Sequence, residues 1–170
     1  MKLKLLIGKD EISKKVKELA DKINNDYKDK NPILVGVLNG SFVFLADLVR
    51  ELKIPVEIDF VKVRSYVGTE SSGEIKMLLD LERDVKNRDV LIVEDIVDTG
   101  LTLNYLVKHL KNKGARSVRI CALLDKPERR RVDVKIDYLG FKIPNVFVVG
   151  YGLDMDEKFR ELPEIYCIEK

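Results

Sequence analysis

Apolar residues recur at helical spacing from Ile12 through Val16, Leu19 and Ile23 to Tyr27, with Lys and Glu between them. They predict a first helix capped by Asp10. Asn31-Pro32 ends that pattern, and Ile33–Leu38 (ILVGVL) follows as a continuous apolar run. A short run without alternation reads as a strand buried on both faces of a parallel sheet. The turn Asn39-Gly40-Ser41 leads into a second helix over FVFLADLVREL, with Ser41 as its cap. Residues 56–63 alternate instead, like a half-exposed strand, and run through Arg64, Ser65 and Tyr66 into the polar stretch VGTESSGE. EIKMLLDL returns from it as the second arm of a long hairpin.

The second half repeats the rhythm. VLIVED (residues 90–95) is the most hydrophobic strand and ends on two acids; IVDTG reads as a loop, and a helix over residues 101–113 stops at Gly114. SVRICALLD is another buried strand, KPERRR a turn, and KIDYLGF and NVFVVGYGLD hold two further short strands. Strand and helix alternate at βαβ spacing, which predicts an α/β fold with a doubly wound, mainly parallel sheet and flanking helices. No repeat or linker divides the chain, so residues 1–170 are expected to form one domain. In such a sheet ligands gather at the carboxyl ends of the strands. The turns that matter therefore follow Leu38, Asp95, Leu124 and Val149.

Charge narrows the function classes. The 31 Lys and Arg stand against 29 Asp and Glu, a net charge of +2, which offers no general attraction to nucleic acid or to an acidic membrane. No apolar run reaches the roughly 18 residues of a membrane span, and the N-terminus lacks a signal peptide's apolar stretch, so a cytoplasmic protein is expected. Cys121 and Cys167 lie far apart among apolar neighbours and read as buried thiols. The single histidine, His109, falls in the later turns of a helix and reads as a solvated or dipole-favoured residue. Ser-His-Asp and Cys-His chemistry are thereby excluded. Carboxylates, Lys, Arg and backbone amides must carry whatever chemistry occurs.

The turn after VLIV concentrates those groups. Glu94 and Asp95 are adjacent acids at the exit of an oily strand, where a carboxylate requires a cationic or hydroxyl partner. Asp98-Thr99-Gly100-Leu101-Thr102 then leads straight into a helix, a pattern suited to cradling an anion on free amides and threonine hydroxyls. Two acids beside a phosphate cradle suit a sugar phosphate, with the carboxylates accepting from a cis-diol and holding Mg²⁺. The run lacks the Gly-Lys-Ser/Thr of a Walker A loop. A receiver domain, whose acids also end strands, would not set two of them directly before a phosphate-type loop.

Residues 92–103, IVEDIVDTGLTL, resemble the phosphoribosyl-pyrophosphate motif of type I phosphoribosyltransferases, in the form of the hypoxanthine-guanine branch. LNGSFVF, RSYVGTESSG, LLDKPERR and FVVGYGLDMDEKFRELP agree with that branch in the same order. The resemblance implies a core of about 30–140, a small hood from about 1–12 and 140–170, and a mobile loop of about 64–75 that closes over the reaction. It implies that Glu94 and Asp95 hold the ribose hydroxyls, that Asp98 to Thr102 bind the 5′-phosphate, and that Asp98 also acts as general base toward purine N7. Lys126 would donate to the 6-oxo group of the base, Phe147 would stack on it, and Val148 and Asp154 would complete the purine pocket. Asn39, Gly40, Ser65, Tyr66 and Arg160 would face pyrophosphate. The peptide before Asn39 is expected to be strained or cis. Many relatives carry Lys at position 39, so Asn39 would act through its backbone amide.

Mg²⁺ is the implied cofactor, one ion bound with phosphoribosyl pyrophosphate at Glu94 and Asp95 and a second held with the help of Asp154. The implied reaction joins phosphoribosyl pyrophosphate to hypoxanthine or guanine and releases IMP or GMP and pyrophosphate, in a homo-oligomer, dimer or tetramer. Xanthine remains open as a substrate; Lys126 with Phe147 argues against adenine and the pyrimidines. An RNA-binding regulator on the same fold is the competing reading. The basic cluster Lys126, Arg129, Arg130 and Arg131 adjoins the implied base pocket, which speaks against it.

Overall fold

A computed structural model describes residues 1–66 and 74–169. Its elements follow the chain as β1 (Lys2–Ile7), α1 (Lys9–Asp26), β2 (Ile33–Leu38), α2 (Phe42–Glu51), β3 (Glu57–Tyr66), β4 (Glu74–Leu79), β5 (Asp89–Val97), α3 (Leu101–Asn112), β6 (Ser117–Asp125), β7 (Tyr138–Lys142), β8 (Val148–Val149) and β9 (Ile165–Glu169). Six strands form a sheet in the order β4-β3-β2-β5-β6-β7. Within it β3, β2, β5, β6 and β7 run parallel, and only β4 is antiparallel, as the return arm of the hairpin with β3. A second sheet, β1-β9-β8, is antiparallel and joins the two ends of the chain.

The unbroken apolar runs of β2 and β5 have a direct cause. Successive side chains point to opposite faces, and both faces of this sheet are covered. Leu34, Leu91 and Val93 pack with Val16, Leu19 and Ile23 of α1 and with Phe44 and Leu48 of α2. Ile33, Val35, Val90 and Ile92 pack on the other side with Leu103, Leu106 and Leu110 of α3. No helix among the described residues is long and apolar enough to cross a membrane.

Three local expectations need correction. α1 begins one residue after Gly8, so Asp10 sits in its first turn; Glu11 accepts from the Gly8 amide (3.2 Å) and Glu164 from the Lys9 amide (2.9 Å). Ser41 stands before α2 but makes no cap: its buried hydroxyl donates back to the Val37 carbonyl at 2.7 Å. β5 continues through Val97, so Ile96 and Val97, expected to open the loop after Asp95, still belong to the strand.

His109 lies in the last turn of α3, as the dipole-favoured reading expects, but it is partly buried and not simply solvated. Its Nε2 lies 2.9 Å from Asp80 Oδ1, and Lys113 Nζ donates to Asp80 Oδ2 at 2.8 Å, which ties α3 to the segment after β4. Partial burial works against ionisation of Asp80, but its bonds to Lys113 and His109 prevail and hold its pKa at about 2, below the ordinary 3.8. A carboxylate with a depressed folded pKa stabilises above its unfolded value and loses that contribution as pH falls through the folded one. Thermal melting is therefore expected to lose stability from about pH 4 toward pH 2, and Asp80→Asn to flatten that limb. An unchanged acid limb in the variant would assign the loss elsewhere.

Candidate active site

The carboxyl ends of β5 and β6 lie level, with Val97 opposite Asp125, and the residues singled out from sequence gather there. Glu94 is buried and Asp95 half-buried. Each carboxylate accepts from the next backbone amide: Asp95 N donates to Glu94 Oε1 (3.0 Å), and Ile96 N to Asp95 Oδ1 (2.7 Å). Burial first, and then the neighbouring Asp95 charge, push the Glu94 pKa well above its usual range. Among the described residues no ion pair joins a Lys, Arg or His to either carboxylate. Nor, among the described residues, does any cluster of three or more His, Cys, Asp or Glu form a ready cage. An unneutralised pair of oxygen donors fits a hard divalent cation that completes its shell with water and substrate oxygens, as Mg²⁺ does.

Glu94 and Asp95 share a cavity of about 200 Å³ with Val97, Asp98, Thr99, Gly100 and Thr102. Gly100 takes a φ of 86° and turns the chain into α3. A Cβ on it would stand 2.5 Å from the Val132 carbonyl, so glycine is required by contact as well as by conformation. The Thr99 carbonyl accepts from the amides of Arg131 (2.9 Å) and Val132 (3.1 Å), and the Asp98 carbonyl accepts from Arg130 Nε (3.2 Å). With its carbonyls turned that way, the loop keeps amides free for the cavity: Thr99, Gly100 and Thr102 donate to no acceptor among the described residues. Free amides at a helix start attract an anion.

Asp98 itself is only partly covered, but its Oδ1 is buried and receives no hydrogen bond. Arg129 Nε stands 2.9 Å from that oxygen, outside hydrogen-bond geometry, and forms an ion pair with it. Lys126 follows β6 directly, is 7% exposed, and donates its amide to the Val97 carbonyl at 2.9 Å. Burial lowers the Lys126 pKa; the Asp98 charge raises it in part, and Arg129 works against it. A carboxylate, a buried lysine and an amide-rich turn are therefore contiguous.

On the other side of the acids lies the Leu38–Asn39 peptide, which is cis. A Cβ on Gly40 would fall 1.9 Å from Asp95 Oδ2, and one on Gly152 would fall 2.4 Å from the Gly40 carbonyl. The loop after β8 thus rests on the turn after β2, which rests on Asp95. Gly150, Tyr151 and Gly152 all have positive φ (97°, 53° and 94°), a conformation held only where the surroundings enforce it. The buried Tyr151 hydroxyl donates to Asp47 Oδ2 at 2.5 Å and anchors this loop on α2. Arg160 closes the group: Nη1 donates to the Gly152 carbonyl (2.6 Å), and Nη2 lies 3.4 Å from Asp154 and 2.9 Å from Glu157. Burial opposes its charge, but Glu157, Asp154 and Asp95 hold it protonated.

Other expected residues stand apart from this cluster. Val148 opens β8 of the small sheet, buried against β9, and Phe147 directly precedes it, 53% exposed, unlike a core aromatic. Ser65 is exposed near the end of β3, and the backbone of Tyr66 pairs with Glu74. Most of the expected mobile loop, residues 67–73, lies outside the described residues. Asp125 and Gly152, unmarked in the sequence, also belong to this cluster, with Arg129 and Arg130 of the basic run. The basic run after Lys126 was visible, but its pairing with Asp98 and Asp125 was not.

The family described as "Phosphoribosyl transferase domain" matches residues 8–156. A hypoxanthine-guanine phosphoribosyltransferase of Bacillus subtilis (strain 168) is 49% identical over 163 residues, which is 95% of this chain and 91% of that protein. One from Lactococcus lactis is 52% identical, over 95% of this chain and 88% of its own. The crystal structure of a hypoxanthine-guanine phosphoribosyltransferase from Bacillus anthracis, with HEPES in its active site, superposes with a TM-score of 0.94. It is 44% identical, and the match covers 99% of this chain and 100% of that one.

Proposed function

The chain belongs to the phosphoribosyl transferase family, and on that footing we propose how its site moves the 5-phosphoribosyl group from phosphoribosyl pyrophosphate to N9 of hypoxanthine or guanine. The products are IMP or GMP and pyrophosphate, a purine-salvage reaction. One observation carries this reading: an unneutralised carboxylate pair, an amide-rich turn, a buried carboxylate oxygen without a donor and a buried lysine all meet at the ends of β5 and β6.

In this reading the amides of Thr99 to Thr102 and the two threonine hydroxyls bind the 5′-phosphate, and Glu94 and Asp95 accept from the ribose hydroxyls. Glu94 and Asp95 would hold one Mg²⁺ with phosphoribosyl pyrophosphate and Asp154 would help hold a second, and the bound ions would screen the charge of the pyrophosphate. Asn39 and Gly40, through their backbone, and Arg160, through its guanidinium, receive the departing pyrophosphate, with Ser65 and Tyr66 closing from β3. A guanidinium suits that task because it donates two parallel hydrogen bonds. The half-exposed Phe147 stacks on the base, Val148 and Asp154 flank it, and Lys126 donates to its 6-oxo oxygen. Asp98 Oδ1 takes the proton from N7 as the bond to N9 forms at the anomeric carbon. Holding both substrates in line supplies the larger share of the acceleration.

Gly40 offers a sharp test, because it touches both Asp95 and the Gly152 loop and no larger residue fits. Gly40→Ala is expected to displace the Asp95 carboxylate and to lower kcat/KM for phosphoribosyl pyrophosphate by about 100-fold, with far-UV circular dichroism unchanged. A variant as active as the parent would remove the Asn39-Gly40 turn from the site.

A further inference from the structure

We infer that Arg130 is a positioning residue for the reaction: it holds the Asp98 carboxylate in place through the Asp98 main chain, an inference that rests on the role proposed above for Asp98. Arg130 pairs through Nη2 with the carboxylate of Asp125, the last residue of β6, which is 5% exposed. From the same guanidinium, Nε donates to the Asp98 carbonyl at 3.2 Å. One rigid fork thus spans the ends of β5 and β6 and takes hold of the residue whose side chain faces the base. The next two amides, Arg131 and Val132, fasten the Thr99 carbonyl. The Arg130 stem lies so close to the turn that a Cβ on Gly100 would stand 3.1 Å from its Cδ.

Stability alone does not account for this pair. Desolvating two charges costs about as much as their attraction returns, and an apolar pair of similar volume often does as well. The hydrogen bond to Asp98 is what an apolar pair could not supply. Displacement of a reacting group by about 1 Å costs up to about 100-fold in rate, so a fork that fixes Asp98 acts on turnover, not on substrate affinity. Lysine keeps the charge beside Asp125 but has a single nitrogen and cannot serve both partners.

The test is steady-state kinetics of Arg130→Lys, made once in the parent and once in Asp98→Asn. Arg130→Lys is expected to lower kcat about 10-fold, with KM for phosphoribosyl pyrophosphate within about 3-fold and thermal melting close to the parent. In the Asp98→Asn background the same change should cost less than about 2-fold, because the group it positions is gone. Unchanged kcat in the parent background, or an equal loss in both backgrounds, overturns the inference. If Arg130→Lys does not fold, the double variant Asp125→Asn with Arg130→Gln leaves no buried charge unpaired and must show the same loss and the same silence. Asp98→Asn at full parental rate would overturn the reading of Asp98 itself. A slow Asp98→Asn beside a fully active Arg130→Lys would overturn only the positioning role.

Discussion

Asp98→Asn is expected to slow turnover about 10²- to 10⁴-fold while leaving affinity for phosphoribosyl pyrophosphate within about 3-fold. The side chains are isosteric, so the turn into α3 should survive: its carbonyls are held by Arg130, Arg131 and Val132, not by the Asp98 carboxylate. What disappears is the proton acceptor, whose Oδ1 is buried and receives no hydrogen bond. The anion cradle and the acidic pair do not depend on that oxygen. The readout is kcat from steady-state rates, with affinity from calorimetric titration of phosphoribosyl pyrophosphate in Mg²⁺. Equal loss of rate and affinity would make Asp98 a binding residue and refute its role as a base.

Lys126→Met should lower kcat/KM for hypoxanthine and guanine by about 100-fold, the worth of a charge-assisted hydrogen bond lost from a buried site. Methionine fills the space of the lysine stem, so the change is chiefly in donor chemistry. In the parent, adenine is expected to be rejected, because its amino group leaves the ammonium facing a second donor. Burial lowers the Lys126 pKa from 10.5. The basic limb of the kcat/KM profile for a 6-oxopurine should therefore fall at a lower pH than a free lysine would set. Only the protonated amine donates as a cation, so activity is lost as pH rises, and Lys126→Met should lack that limb. A variant that keeps both the rate and the limb would detach Lys126 from the base.

How much of this was legible in the chain depended on the range of the signal. The runs ILVGVL and VLIVED reveal strands buried on two faces because the period is local, and Asp98-Thr99-Gly100-Leu101-Thr102 reads as a turn suited to an anion because its chemistry fits in five residues. The antiparallel sheet of β1, β9 and β8 is a different case: Lys2 pairs with Glu169 across nearly the whole chain, and neither segment carries a distinctive pattern of its own. The seating of Gly152 on Gly40 and of Gly40 on Asp95 is equally non-local. Each glycine looks like an ordinary turn residue until the other loop is in place. The same holds for KPERRR, which reads as a basic turn; only the fold shows that Arg129 faces Asp98 and Arg130 faces Asp125. Arg160 is singled out in the sequence only by the resemblance; the fold sets it between Asp154 and the Gly152 carbonyl.

The most direct measurement is a spectrophotometric assay of the purified chain with phosphoribosyl pyrophosphate, Mg²⁺ and hypoxanthine, guanine, xanthine or adenine in turn. Turnover with hypoxanthine or guanine, abolished by EDTA and absent with adenine, is the predicted result. Measurable binding of IMP or GMP without turnover on any base would contradict the account and point to a nucleotide sensor built on the same fold.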